Sequence, residues 1–189
     1  MIKFRDLLAD EIECRVQSVK PNGLVLLLYK NARCDMNILD EAVGPENWQR
    51  EHYECKGNLF CRVGIYVPEE EQEKPDYSTA LATNYFPRNK KASGWVWKSD
   101  CGTESNTEAQ KGEASDSFKR ACFNWGIGRE LYTTPFTWIP AEKCNITNGK
   151  CYDKFVVEKI LIENKRIIAL AIWNTSKNVR AFVWQRDQK

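Results

Sequence analysis

The stretch KGEASDSFKRACFNWGIGRELY, residues 111–132, is the longest run in this chain with a helical period, and segments patterned with a period of two lie on both sides of it. Ala114, Phe118, Ala121, Cys122 and Trp125 follow the spacing i, i+4, i+7, i+8, i+11, which draws one apolar stripe down a helix. Such a stripe has to be buried against a core, so the flanking strands and this helix belong together. Thr107 with Gln110 makes a capping box at its start, and Gly126 and Gly128 punctuate its end.

The period-two segments are well marked. CRVQSV and GLVLLLYK flank the turn signal KPNG, and NWQREHYECKGNLFCRVGIYV reads as a hairpin turning at Lys56, Gly57 and Asn58. In its second strand Leu59, Cys61, Val63 and Ile65 alternate with Phe60, Arg62 and Tyr66. GWVWKSDCGTES is a further strand with Trp95 and Trp97 on one face and Val96 and Lys98 on the other; packing against the long helix is the expected role of the two tryptophans. FVVEKILIENKRIIALAIWNTSKNVRAFVWQ divides into three strands at ENK and NTSKN.

Helical spacing recurs at Phe4, Leu7, Leu8 and Ile12, which predicts a helix from Phe4 to about Arg15, and at Met36, Leu39 and Val43, which predicts a second one stopped by Gly44. Residues 68–93, with an acidic run, prolines and RNKK, read as a surface excursion with a short strand near STALATNYF. The segment TTPFTWIPAEKCNITNGKCYDK reads as irregular. The whole is an α+β chain, and its 189 residues suit one domain with one sizeable core.

Composition narrows the function. The longest apolar stretch, LVLLLY, suits a buried strand, and Arg5, Asp6, Asp10 and Glu11 interrupt the N-terminal segment where a secretory signal would be uninterrupted, so a cytoplasmic location is expected. The eight cysteines lack a C-x-x-C, and His52 is the single histidine, so reduced thiols are expected rather than a disulfide framework or a structural zinc. No G-x-x-x-x-G-K-[ST] loop is present, which argues against ATP-driven chemistry and implies no cofactor. The formal net charge is +2, so any polyanion must bind a local basic strip.

The helix offers such a strip. At about 100° per residue, Lys119 projects roughly 80° from Lys111 with Ser115 between them, and Arg120 lies roughly 100° further round. Gly112 and Ser115 keep that side open to close approach, and Phe123 stands off the apolar stripe. A phosphate-binding edge and a solvated face both fit this spacing. Two rivals come from other classes. ECK at 54–56 has the E-x-K shape of some nuclease cores, with Asp40, Glu41 or Glu46 as an upstream carboxylate for a divalent ion. The seven tryptophans, seven tyrosines and eight phenylalanines also suit a protein-binding scaffold.

Three ordered motifs, LDEAVGPENWQ at 39–49, WVWKSDCGTES at 95–105 and KGEASDSFKRACFNWGIGRELY at 111–132, resemble the Rad52-like single-strand annealing proteins, most closely their phage Sak-type members. The C-terminal FVVEKI and KNVRAFVW also look like the strand pattern that ends such phage proteins. The resemblance implies a curved antiparallel β-sheet packed on the long α-helix as a β-β-β-α annealing core, at about residues 24–135, with additional C-terminal β-strands in an extension from about 136 to 189. It implies an ATP-independent, non-enzymatic protein for homologous recombination or repair, binding single-stranded DNA in a basic groove of an oligomeric ring or filament. Such systems often involve a single-strand-binding protein or an exonuclease as partner. In that family the helix pair contacts phosphates, which carries over to Lys119 and Arg120, and a basic residue before the first core helix lines the groove, which carries over to Arg33. Lys111, Lys98 and Arg62 are the expected helpers. Phe123, Trp125 and Arg129 are assigned to packing or self-association, Phe123 standing where eukaryotic members have a further arginine.

Overall fold

The computed structural model describes residues 2–68, 94–103 and 109–186. The chain packs as two compact units, one made of Met1–Ala42 and Cys122–Lys189 and the other of Val43–Ala121. Both are antiparallel, and the fold is α+β. The capping box at Thr107 and the strand near residues 78–86 lie outside the described residues.

The first unit is built on a six-stranded sheet. Strands β1 (Glu13–Lys20) and β2 (Gly23–Tyr29) form the N-terminal hairpin, whose turn residues are Pro21 and Asn22. Strand β6 (Thr137–Pro140) joins one edge, and β7 (Phe155–Glu163), β8 (Arg166–Asn174) and β9 (Val179–Gln185) join the other, in the order β6-β2-β1-β7-β8-β9. Register shifts in β1, β7 and β8 bend the ladder, as expected where an extra residue is fitted into one strand of a pair. Leu24, Leu26 and Leu28 of β2 are buried, as are Phe155, Val157, Leu170, Ile172 and Ala181. Helix α1 (Ala32–Val43) buries Cys34, Ile38 and Leu39. It is capped by Asn31, whose Oδ1 accepts the N–H groups of Arg33 at 2.9 Å and Cys34 at 3.1 Å. It stops at Gly44, where φ is 84°.

The second unit is a three-stranded sheet, β3 (Trp48–Cys55), β4 (Asn58–Val67) and β5 (Gly94–Cys101), followed by helix α2 (Ala109–Trp125), whose last turn from Cys122 belongs to the first unit. Cys55 pairs with Asn58, so the hairpin loop is only Lys56 and Gly57, both with positive φ as a two-residue turn that matches the strand twist requires. Cys61, Val63 and Ile65 are fully buried on one face of β4, and Ser117, Phe118, Ala121 and Cys122 are fully buried on α2.

Three expectations are corrected. The segment from Phe4 is not a helix; it runs extended through a single 3-10 turn at Ala9–Glu11 and enters β1 at Glu13. Distant partners win over local spacing there: the Leu7 N–H donates to Glu130 Oε1 at 2.8 Å, and the Arg5 guanidinium is held by both Glu11 and Glu41. Residues 137–140, read as irregular, form β6 against Gly23–Leu26; four residues between Phe136 and Ala141 are too few for alternation to register. Trp95 and Trp97 face away from α2. Their register partners Tyr66 and Gly64 lie on the opposite face of β4 from Cys61, Val63 and Ile65, and a Cβ on Gly64 would sit 2.8 Å from the Trp97 ring. Trp97 lies over that glycine, with Trp95 beside it at 6.2 Å between ring centroids.

Candidate nucleic-acid interface

Within the second unit the sheet clamps α2 at several points. The ring of Phe118 lies 6.1 Å from that of Trp48 in a stacked arrangement, and the Arg50 guanidinium sits 4.8 Å from the Phe118 centroid. The Leu59 N–H donates to Glu113 Oε1 at 3.0 Å, and His52 Nε2 lies 3.1 Å from the Ala114 carbonyl oxygen. Gly102, just past β5, makes the closest approach: a Cβ there would stand 2.2 Å from the Glu113 carbonyl oxygen and 2.8 Å from the Ser117 nitrogen. Only a residue without a side chain lets the end of β5 run against the helix backbone.

This contact positions the polar flank of α2. The Thr103 N–H and hydroxyl both donate to Asp116 Oδ2, at 3.2 and 3.3 Å. Asp116 Oδ1 faces Lys119 Nζ at 3.9 Å. One residue on, Arg120 Nε stands 3.3 Å from Asp100 Oδ1, the oxygen that also accepts the Cys101 N–H at 2.9 Å. The side chain of Lys119 is 24% exposed and that of Arg120 41%. Lys98 shares the helix-side face of β5 with Asp100, since its register partner is the buried Val63. Lys111 is exposed two turns before Lys119. Surface pairs of this kind are worth about 0–1 kcal/mol each.

The other sequence-predicted residues are placed differently. Arg62 lies on the opposite face of the sheet, donating to Glu51 Oε2 at 2.6 and 3.0 Å with its guanidinium 4.6 Å from the Trp97 ring centroid. Arg33, exposed in the first turn of α1, belongs to the other unit. Phe123 packs: its ring meets Tyr132 at 4.8 Å and takes the Lys30 ammonium at 4.7 Å. Trp125 is half-buried at the helix end. Gly126 and Ile127 close α2 by donating to the Phe123 and Cys122 carbonyls at 2.9 and 3.1 Å, with Gly126 at φ 104°. Arg129 completes that cap, giving Nε to the Phe123 carbonyl at 2.7 Å and a terminal nitrogen to that of Asn124 at 3.0 Å.

Sequence reasoning missed Asp100, Thr103, Asp116 and Gly102. The signals were there in part: alternation puts Asp100 on the face of Lys98, and Asp116 stands three residues before Lys119. The E-x-K residues are accounted for by the hairpin, where Lys56 is a turn residue, and among the described residues no three carboxylate, histidine or cysteine side chains converge as a metal site would need. No described helix is long and apolar enough to cross a membrane. What the flank of α2 can do is hold anionic groups.

Among protein families, the one described as the Rad52/22 family double-strand break repair protein matches residues 5–149. No curated protein and no solved structure matches.

Proposed function

This chain belongs to the Rad52/22 family of double-strand break repair proteins, and on that premise we propose that it is an ATP-independent annealing protein whose α2 flank holds the phosphates of single-stranded DNA. The family's work is DNA repair and recombination by single-strand annealing. Annealing needs no covalent step. The protein has to neutralise the backbone, keep the bases unpaired and accessible, and let a second strand sample them; duplex formation then runs downhill without a nucleotide.

The observation that carries the reading is the half-buried Lys119 and Arg120 pair, consecutive on a helix that the sheet and Gly102 hold in place. Cations on a rigid element meet a repeating polyanion with little ordering cost, and Lys98 and Lys111 are further cations of the same unit. Proteins of the family act as oligomers, and a row of such strips from several copies would follow a strand continuously. The test is pairing of complementary labelled oligonucleotides with neither nucleotide nor magnesium present. Pairing well above the protein-free rate is expected; no acceleration, or strand cleavage on adding magnesium, would contradict the reading.

A further inference from the structure

We infer that Asp100 is a positioning residue for Arg120, and that it sets the direction in which the guanidinium meets a phosphate; this rests on the annealing reading above. Asp100 is fixed from both sides. Its backbone is in β5 opposite the fully buried Cys61, and its Oδ1 accepts the N–H of Cys101 at 2.9 Å, so the carboxylate cannot swing without losing a bond to its own strand. The same oxygen stands 3.3 Å from Arg120 Nε.

Nε is the inner nitrogen of a rigid planar group. An anchored carboxylate oxygen 3.3 Å from it biases the plane of the guanidinium, and with it the directions of the two terminal nitrogens, the pair that an arginine uses in bidentate contact with phosphate. The neighbouring pair differs. Lys119 Nζ is 3.9 Å from Asp116, a distance at which charge is offset but no direction is imposed, and an ammonium has no plane to orient. The two aspartates thus have different work: Asp116 lowers the local positive charge, and Asp100 aims a fork.

The distinction is readable by substitution. Asp100→Asn keeps an oxygen that can accept from Cys101 and from Nε, and removes a negative charge beside the phosphate path. Asp100→Ala removes the acceptor as well. Binding of a labelled oligo-dT at low salt is measured by anisotropy for both variants, for Arg120→Ala, for Asp100→Ala/Arg120→Ala and for Lys119→Ala/Arg120→Ala, with melting curves as the check on folding. The expected result is Asp100→Asn equal to or tighter than wild type and Asp100→Ala weaker by roughly 3- to 10-fold, a loss that vanishes when Arg120 is already alanine.

Binding by Asp100→Ala as tight as wild type or tighter would overturn the inference, since the carboxylate would then only offset charge. Equal losses in the Asn and Ala variants would overturn it too, because charge and not acceptor geometry would be at work. If Asp100→Ala does not fold, Asp100→Ser takes its place, keeping an acceptor for Cys101 that is too short for Arg120, with the same expectations. Should Lys119→Ala/Arg120→Ala bind as wild type does, the phosphate reading itself falls; if that variant is impaired and Asp100→Ala is not, the positioning inference alone falls.

Discussion

Lys30 and Asp35 form an ion pair that is almost wholly removed from water, with side-chain exposures of 2% and 0%. The ammonium reaches both carboxylate oxygens and also lies 4.7 Å from the centroid of Phe123, so it ties the end of β2 to the first turn of α1 and to the last turn of α2. Asp35→Asn removes the counter-charge and leaves the ammonium buried. Breaking such a pair from one side costs about 3–5 kcal/mol, a large part of the roughly 5–15 kcal/mol that holds a domain together. With a urea dependence of about 2 kcal/mol per molar, the midpoint falls by roughly 1.5–2.5 M. Lys30→Met/Asp35→Leu removes both charges and fills similar volume, so it recovers to within about 1 kcal/mol of wild type. Urea unfolding followed by far-ultraviolet circular dichroism and tryptophan fluorescence measures all three proteins. A midpoint shift below about 0.5 M for Asp35→Asn, or a double variant as unstable as the single one, would refute the reasoning.

Two further outcomes are expected. Gly102→Val forces a Cβ into the space now 2.2 Å from the Glu113 carbonyl oxygen, so thermal melting should show a loss of about 2–3 kcal/mol, and single-stranded DNA binding should fall with it because the strand end and helix must part. At alkaline pH the buried thiols set a limit: burial pushes Cys34 up to about 12 and Cys61 up to about 11, against an ordinary 9.0. The unfolded chain therefore releases these protons first, the folded chain holds more of them, and stability declines as pH rises from about 9 to about 11 for Cys61 and to about 12 for Cys34. Urea midpoints that stay constant on moving from pH 8 to pH 10 would contradict this.

Much of the second unit is legible in the chain because its determinants are local. Alternation from Leu59 to Ile65 marks the buried face of β4, Lys56-Gly57 marks the turn, and the spacing from Ala114 to Trp125 marks the stripe of α2. Alternation divides Trp95 and Trp97 from Val96 and Lys98 correctly, yet it cannot tell which set faces the helix, because aromatic rings and an aliphatic-stemmed lysine both suit a half-buried position. Local spacing misleads between Phe4 and Ile12, where the partners that decide the backbone, Glu41 and Glu130, are far along the chain. The basic pair is equally visible in sequence, whereas the aspartates that hold it are not, since Asp100 meets Arg120 only through the packing of β5 on α2. Arg129 shows the same limit: its role is set by helix-end carbonyls that no residue-type pattern reports.

The claim that Lys119 and Arg120 hold DNA phosphates is tested most directly by the salt dependence of binding. Affinity for a labelled single-stranded oligonucleotide is measured between about 50 and 200 mM salt for wild type and Lys119→Ala/Arg120→Ala, each shown to be folded. Each phosphate contact contributes about 0.7 to the slope of log affinity against log salt on a single strand, so the variant should bind more weakly and with a slope shallower by about 1.4 per protomer. Equal slopes and equal affinities in two folded proteins would mean that the pair is a solvated face and that the strand, if bound, lies elsewhere.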